Sequence, residues 1–175
     1  MNIDYQIFNP RVDRPLRELT SREAKEAYDW FIENIEERLV QLANILESSK
    51  SGVVLDFSEN SLAGVHDFFH GFSKNDFKNK NQVPSSDLLS LCNDIGIYIS
   101  EMLMRKHNNL SWKLNVRKGN VSYQRPVISG FSVKNKHYNY DFDRILITYA
   151  YRLIKDGIKE EGLFRRLYLK AGELA

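Results

Sequence analysis

The chain is poor in cysteine and proline and has no long apolar run, and each shortage excludes something. One cysteine, Cys92, among 175 residues leaves no intrachain disulfide framework and suits a reducing compartment. It follows the apolar run Leu88-Leu89-Ser90-Leu91, which marks it as a small core side chain rather than a nucleophile. No stretch approaches the ~18 apolar residues that a membrane span requires. Met1 to Tyr5 lacks the basic region and apolar run of a signal peptide, so a soluble cytoplasmic protein without membrane contact is expected. There is no glycine-rich phosphate loop, no internal repeat and no linker.

What is present is ordinary in amount. Apolar residues at 42% and charged residues at 27% exclude disorder and fibrous classes, so residues 1–175 are expected to form one domain that folds without metal or disulfide staples. Charge is more informative by position than by its sum of +2. Residues 1 to 50 hold ten acids and seven bases, whereas Met102 to Tyr140 holds eight bases and no acid. The middle of the chain is therefore locally basic.

Pro10 and Pro15 break any periodicity in residues 1–19, which read as an extended arm. Thr20-Ser21-Arg22-Glu23 is a capping-box pattern, in which the threonine hydroxyl and the glutamate carboxylate satisfy each other's free amides. From there Ala24, Tyr28, Phe31, Ile35, Leu39, Leu42 and Leu46 draw one apolar stripe, predicting a single long helix to about Ser48. The β-branched run Val53-Val54-Leu55 predicts a short buried strand. A helix capped by Ser58 carries Leu62, Val65, Phe69 and Phe72, with Gly71 and a polar surface loop from Lys74 to Gln82 expected to end it.

Ser85 or Ser86 opens a second long helix, whose broad apolar face (Leu88, Cys92, Ile95, Ile99, Leu103) predicts a central place. Trp112, Leu114 and Val116 alternate with polar residues as a half-buried strand. With a turn at Lys118-Gly119-Asn120, Val121 to Ile128 returns antiparallel, and Pro126 sits at the edge or strand end. Asp141 caps a further helix that Gly157 terminates, and a last helix runs from about Glu160 to Lys170. The expected fold is α+β, with long amphipathic helices packed on a small antiparallel sheet or hairpin.

Leu55-Asp56-Phe57-Ser58 leading to Ser61-Leu62, and Ile97-Tyr98-Ile99-Ser100-Glu101 followed by Trp112, carry a resemblance. They are similar to a Leu-Asp-Tyr-Ser…Ser-Leu and Tyr-Leu-Gly-Glu…Trp pattern of uncharacterised bacterial domains, over roughly residues 53 to 155, with Phe57, Ile99 and Ser100 departing from it. The resemblance implies an α+β protein of the bacterial cytoplasm. Some domains of this look resemble the antitoxin or immunity partners of toxins, and the resemblance supplies no catalytic residues.

Four side chains invite a catalytic or metal reading. Asp56, with Ser58 and Ser61, sits where a strand is expected to meet a helix, but capping explains this composition. Glu101 lies in an apolar helix, where pairing with Arg105 four residues on, or with the basic hairpin, is the simpler role. His66 and His70 have the i,i+4 spacing that zinc enzymes use, yet Asp67 stands where such a motif has glutamate. They read as a pair flanking solvent. No catalytic residue, cofactor or metal is expected.

The basic hairpin is the best functional feature. Trp112, Lys113, Arg117, Lys118, Tyr123 and Arg125 combine charge with flat rings. On an acidic protein partner they would steer association. On nucleic acid they would neutralise phosphates and stack on bases. A non-enzymatic, immunity-type protein-binding module is the favoured expectation, and a nucleic-acid-binding protein using residues 102–140 is the alternative.

Overall fold

The computed structural model describes residues 5–78 and 83–175. The described residues form six α-helices and a three-stranded antiparallel sheet, so the fold is α+β. After the arm and a 3-10 turn at Leu16–Glu18 come α1 (Ser21–Glu33), α2 (Ile35–Ser48), α3 (Glu59–Lys78) and α4 (Ser86–Lys106). The strands β1 (Ser111–Leu114), β2 (Pro126–Ser129) and β3 (Asn139–Tyr140) follow, then α5 (Phe142–Asp156) and α6 (Leu163–Gly172).

The local signals act as their chemistry requires. Glu23 N–H donates to Thr20 Oγ1 at 3.3 Å and Thr20 N–H to Glu23 Oε2 at 2.7 Å, closing the capping box. These bonds, with Arg14 beside them, pull the Glu23 carboxyl down to about 2. Ser85 caps α4 by accepting from Leu88 N–H, and Asp141 caps α5 by accepting from Arg144 N–H. Gly157 closes α5 in the left-handed conformation at φ 65°.

Helix α4 is the centre, with every residue from Ser90 to Ser100 buried, and its most extensive neighbour is α5. Gly96 makes that approach possible, because a Cβ there would stand 2.9 Å from Asp143 N. Leu42, Ile45, Leu62, Phe69, Leu146 and Phe164 bring α2, α3, α5 and α6 onto the same core, while Ala24 and Ala27 of α1 form a separate small cluster with Leu19. In the sheet Trp112 pairs with Ile128, and Ile128 with Tyr140. Gly130, at φ 107°, lets the β2–β3 connection pass Asn109, whose carbonyl oxygen would lie 2.1 Å from any Cβ.

The structure corrects four expectations. The single long helix is two, because Asn34 leaves helical geometry at φ −102°, ψ 2° and turns its amide back onto Trp30 O at 2.7 Å. Val53 to Leu55 forms no strand; Val53 and Leu55 pack on the core, Val53 against Gly64, while Val54 is exposed. Gly71 does not end α3, since a lone glycine costs only about 1 kcal/mol in a helix and Phe69, Phe72 and Ser73 remain engaged with the protein interior. The polar stretch from Lys74 is thus helical as far as Lys78, and residues 79–82 lie outside the described residues. Finally, the strands joined at Lys118-Gly119-Asn120 are shorter than expected, pairing Leu114 with Pro126 across an eleven-residue connection, 115–125.

The arm is fastened by a buried ion pair. Arg38 of α2 and Asp94 of α4 meet through two bonds of 2.8 and 2.7 Å. The same guanidinium donates to Gln6 O at 2.8 Å and Ser90 Oγ at 3.1 Å, while Tyr5 Oη donates to Asp94 and Phe8 N–H to Ser90 Oγ. Removing one partner of such a pair strands a buried charge, which typically costs about 3–5 kcal/mol, whereas an apolar replacement of both is often neutral. Arg38→Met is therefore expected to destabilise by about that amount and to open residues 5–19 to limited proteolysis, and Arg38→Met with Asp94→Leu to recover most of the stability, both read by chemical denaturation.

Candidate functional site

The residues of the basic hairpin separate into those turned inward and those facing solvent. Trp112 is half-buried, donates its indole N–H to Glu101 Oε1 at 2.9 Å and meets the Phe31 ring edge-on at 4.9 Å. Glu101 thus pairs with Trp112, and Arg105 stacks on Phe57 at 3.6 Å instead of bridging to Glu101. Arg125 bonds Asp141 at 2.9 Å and also Asp143. Burial pushes Asp143 up to about 6, with Arg125 opposing and Asp141 adding to the rise. Tyr123 is half-buried.

Lys113, Arg117 and Lys118 are exposed, and among the described residues none has a salt-bridge partner. Arg117 and Lys118 occupy a loop shaped by backbone turns, in which Asn120 N–H donates to Arg117 O, Tyr123 N–H to Asn120 O and Arg125 N–H to Ser122 O. The base of the loop is held at Gln124, whose amide donates to Leu19 O at 2.9 Å. Val116 and Val121 flank the two cations and are 72% and 70% exposed. The sequence pattern missed these valines as surface groups, because alternation assigns Val116 to a strand that has already ended at Leu114.

Other basic residues of the acid-free segment lie elsewhere. The antiparallel order puts loop 115–125 at one end of the sheet and the β2–β3 connection, with Lys134 and Lys136, at the other. Phe131, Tyr138 and Tyr140 pack on one another at 5.3 to 6.4 Å, and Tyr140 on Phe142 at 4.7 Å, so these rings serve the core.

Of the remaining candidates, Asp56, Ser61 and His70 each have a hydrogen-bond partner, whereas the buried His66 Nε2 has none among the described residues. Asp56 accepts from Ser58 N–H at 2.9 Å, and its bonds to Ser58 hold it below the ordinary carboxylate range. Ser61 Oγ contacts Tyr98 Oη at 2.7 Å, which also accepts Phe57 N–H. His66 and His70 do not flank solvent. Both are buried, with rings 4.6 Å apart, and Tyr149 Oη meets His70 Nε2 at 2.7 Å while accepting Glu160 N–H. The direction of the Tyr149–His70 bond follows the imidazole tautomer, since the phenol oxygen can accept from Glu160 N–H and still either donate to or accept from Nε2. Among the described residues no group of three or more His, Cys, Asp or Glu is placed to hold a metal ion. Cys92 is buried and burial pushes its thiol up, as suits a core residue.

The family model described as uncharacterised protein YwmA matches residues 21–123, more than half of the chain, and the chain belongs to that family. The match takes in α1 to α4, β1 and most of the cationic loop. No curated protein and no solved structure matches the chain. No helix of the described residues is long and apolar enough to cross a membrane.

The histidine pair predicts a pH dependence. Burial, and the neighbouring His66, lower His70 to about 4 from its ordinary 6.5. Between those values the unfolded chain binds the proton that the fold excludes, so this contribution is complete above about pH 6.5 and lost as pH falls through about 4. Asp143 and Asp94, both raised to about 6 by burial, work in the opposite sense in the whole protein. The stability difference between wild type and His70→Gln isolates the term, and in urea titrations it is expected to shrink by roughly 1–2 kcal/mol from pH 7 to 4.5.

Proposed function

We propose that this member of the YwmA family is a non-enzymatic binding protein of immunity type, which meets an acidic protein partner through loop 115–122 and the adjoining Lys113. The observation that carries this reading is the joint exposure of Val116 and Val121 beside Arg117 and Lys118, cations with no salt-bridge partner among the described residues. Apolar side chains left in water by a well-packed protein gain by being covered, and unpaired cations around them raise the encounter rate with an acidic surface. The anchoring of Gln124 to Leu19 and the turns inside the loop support the reading further, because a pre-shaped loop loses little conformational freedom on binding.

Nucleic acid would be met by the same cations, but it favours a continuous basic track with rings free to stack. Trp112 is engaged with Glu101 and Phe31, Arg125 with two aspartates, and Lys134 and Lys136 lie at the far end of the sheet. A protein surface therefore suits the loop better.

The test is a low-salt capture from bacterial lysate with the immobilised protein, followed by reconstitution of the complex with the purified partner. An equimolar complex is expected, weakened about tenfold or more by Arg117→Glu with Lys118→Glu and by Val116→Ser with Val121→Ser. Failure to recover a protein partner at low salt, or an oligonucleotide gel shift abolished by the same charge reversal, would count against it.

A further inference from the structure

We infer that the cavity beneath the N-terminal arm is a preformed binding site for an uncharged aromatic molecule of about two fused rings, a site separate from the partner-binding loop. The cavity has a volume of about 320 Å³ and lies between the arm, α1, α4, α5 and the segment Gln124 to Pro126. Its walls are mainly apolar and include the rings of Phe8, Tyr28 and Phe31 with Leu16, Leu89 and Ile147.

The space stays open because polar bonds hold its cover in place. At one end of the arm Phe8 N–H donates to Ser90 Oγ at 2.6 Å, and Arg38 donates to Gln6 O at 2.8 Å. At the other end Leu19 O accepts from Gln124 Nε2 at 2.9 Å. Between these fastenings Pro10 and Pro15 restrict the backbone further. The arm is thus a strap tied at both ends, and it would have to break those bonds to settle into the space beneath. Close-packed interiors leave few voids larger than a water molecule. Wall atoms that face an empty space forfeit their dispersion contacts, and an apolar occupant restores them without moving the strap.

The wall presents no free group to recognise a charge. Arg125 lines the cavity but is held by Asp141 and Asp143, and Asp143 is bonded by Asn93 as well. Ser90 Oγ is taken up by Phe8 N–H and Arg38. Asn93 Oδ1, Gln124 Oε1 and Asp143 Oδ1 have essentially no accessible surface, so none of them is presented to the cavity. The hydroxyls of Tyr28 and Ser86 belong to a half-buried and an exposed side chain, which water can serve. A charged ligand would therefore lose its hydration here without gaining a partner.

Size and shape then select among uncharged molecules. The volume is at the small end of ligand sites. An apolar void of about 150 Å³ takes one benzene, so this cavity takes a body of about two rings. The rings of Phe8, Tyr28 and Phe31 offer faces and edges to an aromatic guest, a contribution beyond the burial of its area.

The test uses three probes that share one body: naphthalene, 2-naphthoate and 2-naphthylmethylammonium. Binding to the full chain is followed by the methyl NMR signals of Ala27, Leu89 and Ile147. Naphthalene is expected to bind at least tenfold more tightly than either charged probe. Ala27→Phe and Ile147→Trp fill the cavity from α1 and from α5. Each is expected to abolish binding while unfolding at no lower urea concentration than wild type, and either one suffices if the other fails to fold. Arg117→Glu with Lys118→Glu should leave naphthalene binding unchanged, so failure here is distinct from failure of the loop. No binding of naphthalene, equal or tighter binding of a charged probe, or undiminished binding in a folded filled variant would overturn the assignment.

Discussion

The structure depends on one buried charge pair, Arg38 with Asp94. Burial pushes the Asp94 carboxyl up to about 6 while Arg38 and Tyr5 hold it down, so the pair is ionised at neutral pH in a setting where unpaired charge is costly. Three further polar groups converge on it: Ser90 Oγ, the Tyr5 hydroxyl and Gln6 O. Removing any single member strands the polar groups bonded to it, and these bonds give a proline-interrupted arm, regular only in the 3-10 turn Leu16–Glu18, its fixed course. Arg38 also lies over the Tyr5 and Phe8 rings at 5.6 and 5.8 Å, so the same side chain packs the aromatics that it positions.

The course of the arm decides what else exists on that face. Ile7, Phe8 and Pro10 close the cavity over α1 and α4, and without the Arg38 anchor this space would be an open groove. The second ion cluster, Arg125 with Asp141 and Asp143, closes it from the other side and holds the start of α5 against the end of loop 115–125. Gln124 joins the two systems, since it lines the cavity and ties the loop to Leu19 at the end of the arm. The cavity and the cationic loop are thus adjacent parts of one frame, although the chemistry each offers is different.

Helix starts and stops were legible because capping is decided within four or five residues. Thr20 with Glu23, Ser85, Asp141 and Gly157 act locally, and the structure uses all of them. The central place of α4 was legible from its broad apolar face. The break at Asn34 was not, because the apolar stripe continues in phase across it and the cause is a single side chain turning onto Trp30 O. Val53 to Leu55 looked like a strand by composition, but β-branched residues suit any half-buried surface, and here that surface is a helix. The two histidines were placed at the margin of their stripe, and it was Tyr149 and Phe164, from helices far along the chain, that buried them.

By itself the sequence determined the α+β class, most helix ends, the core role of Cys92 and the acid-free basic segment, since all of these follow from short-range chemistry or composition. Only the tertiary structure decided which of those bases are left exposed and unpaired among the described residues. Trp112 and Arg125 found their partners in Glu101, Phe31, Asp141 and Asp143, while Arg117 and Lys118 have no salt-bridge partner among the described residues. Membership of a charge cluster in sequence says nothing about where its counter-charges will be brought from. That depends on long-range packing, which here carried Asp141 and Asp143 onto Arg125.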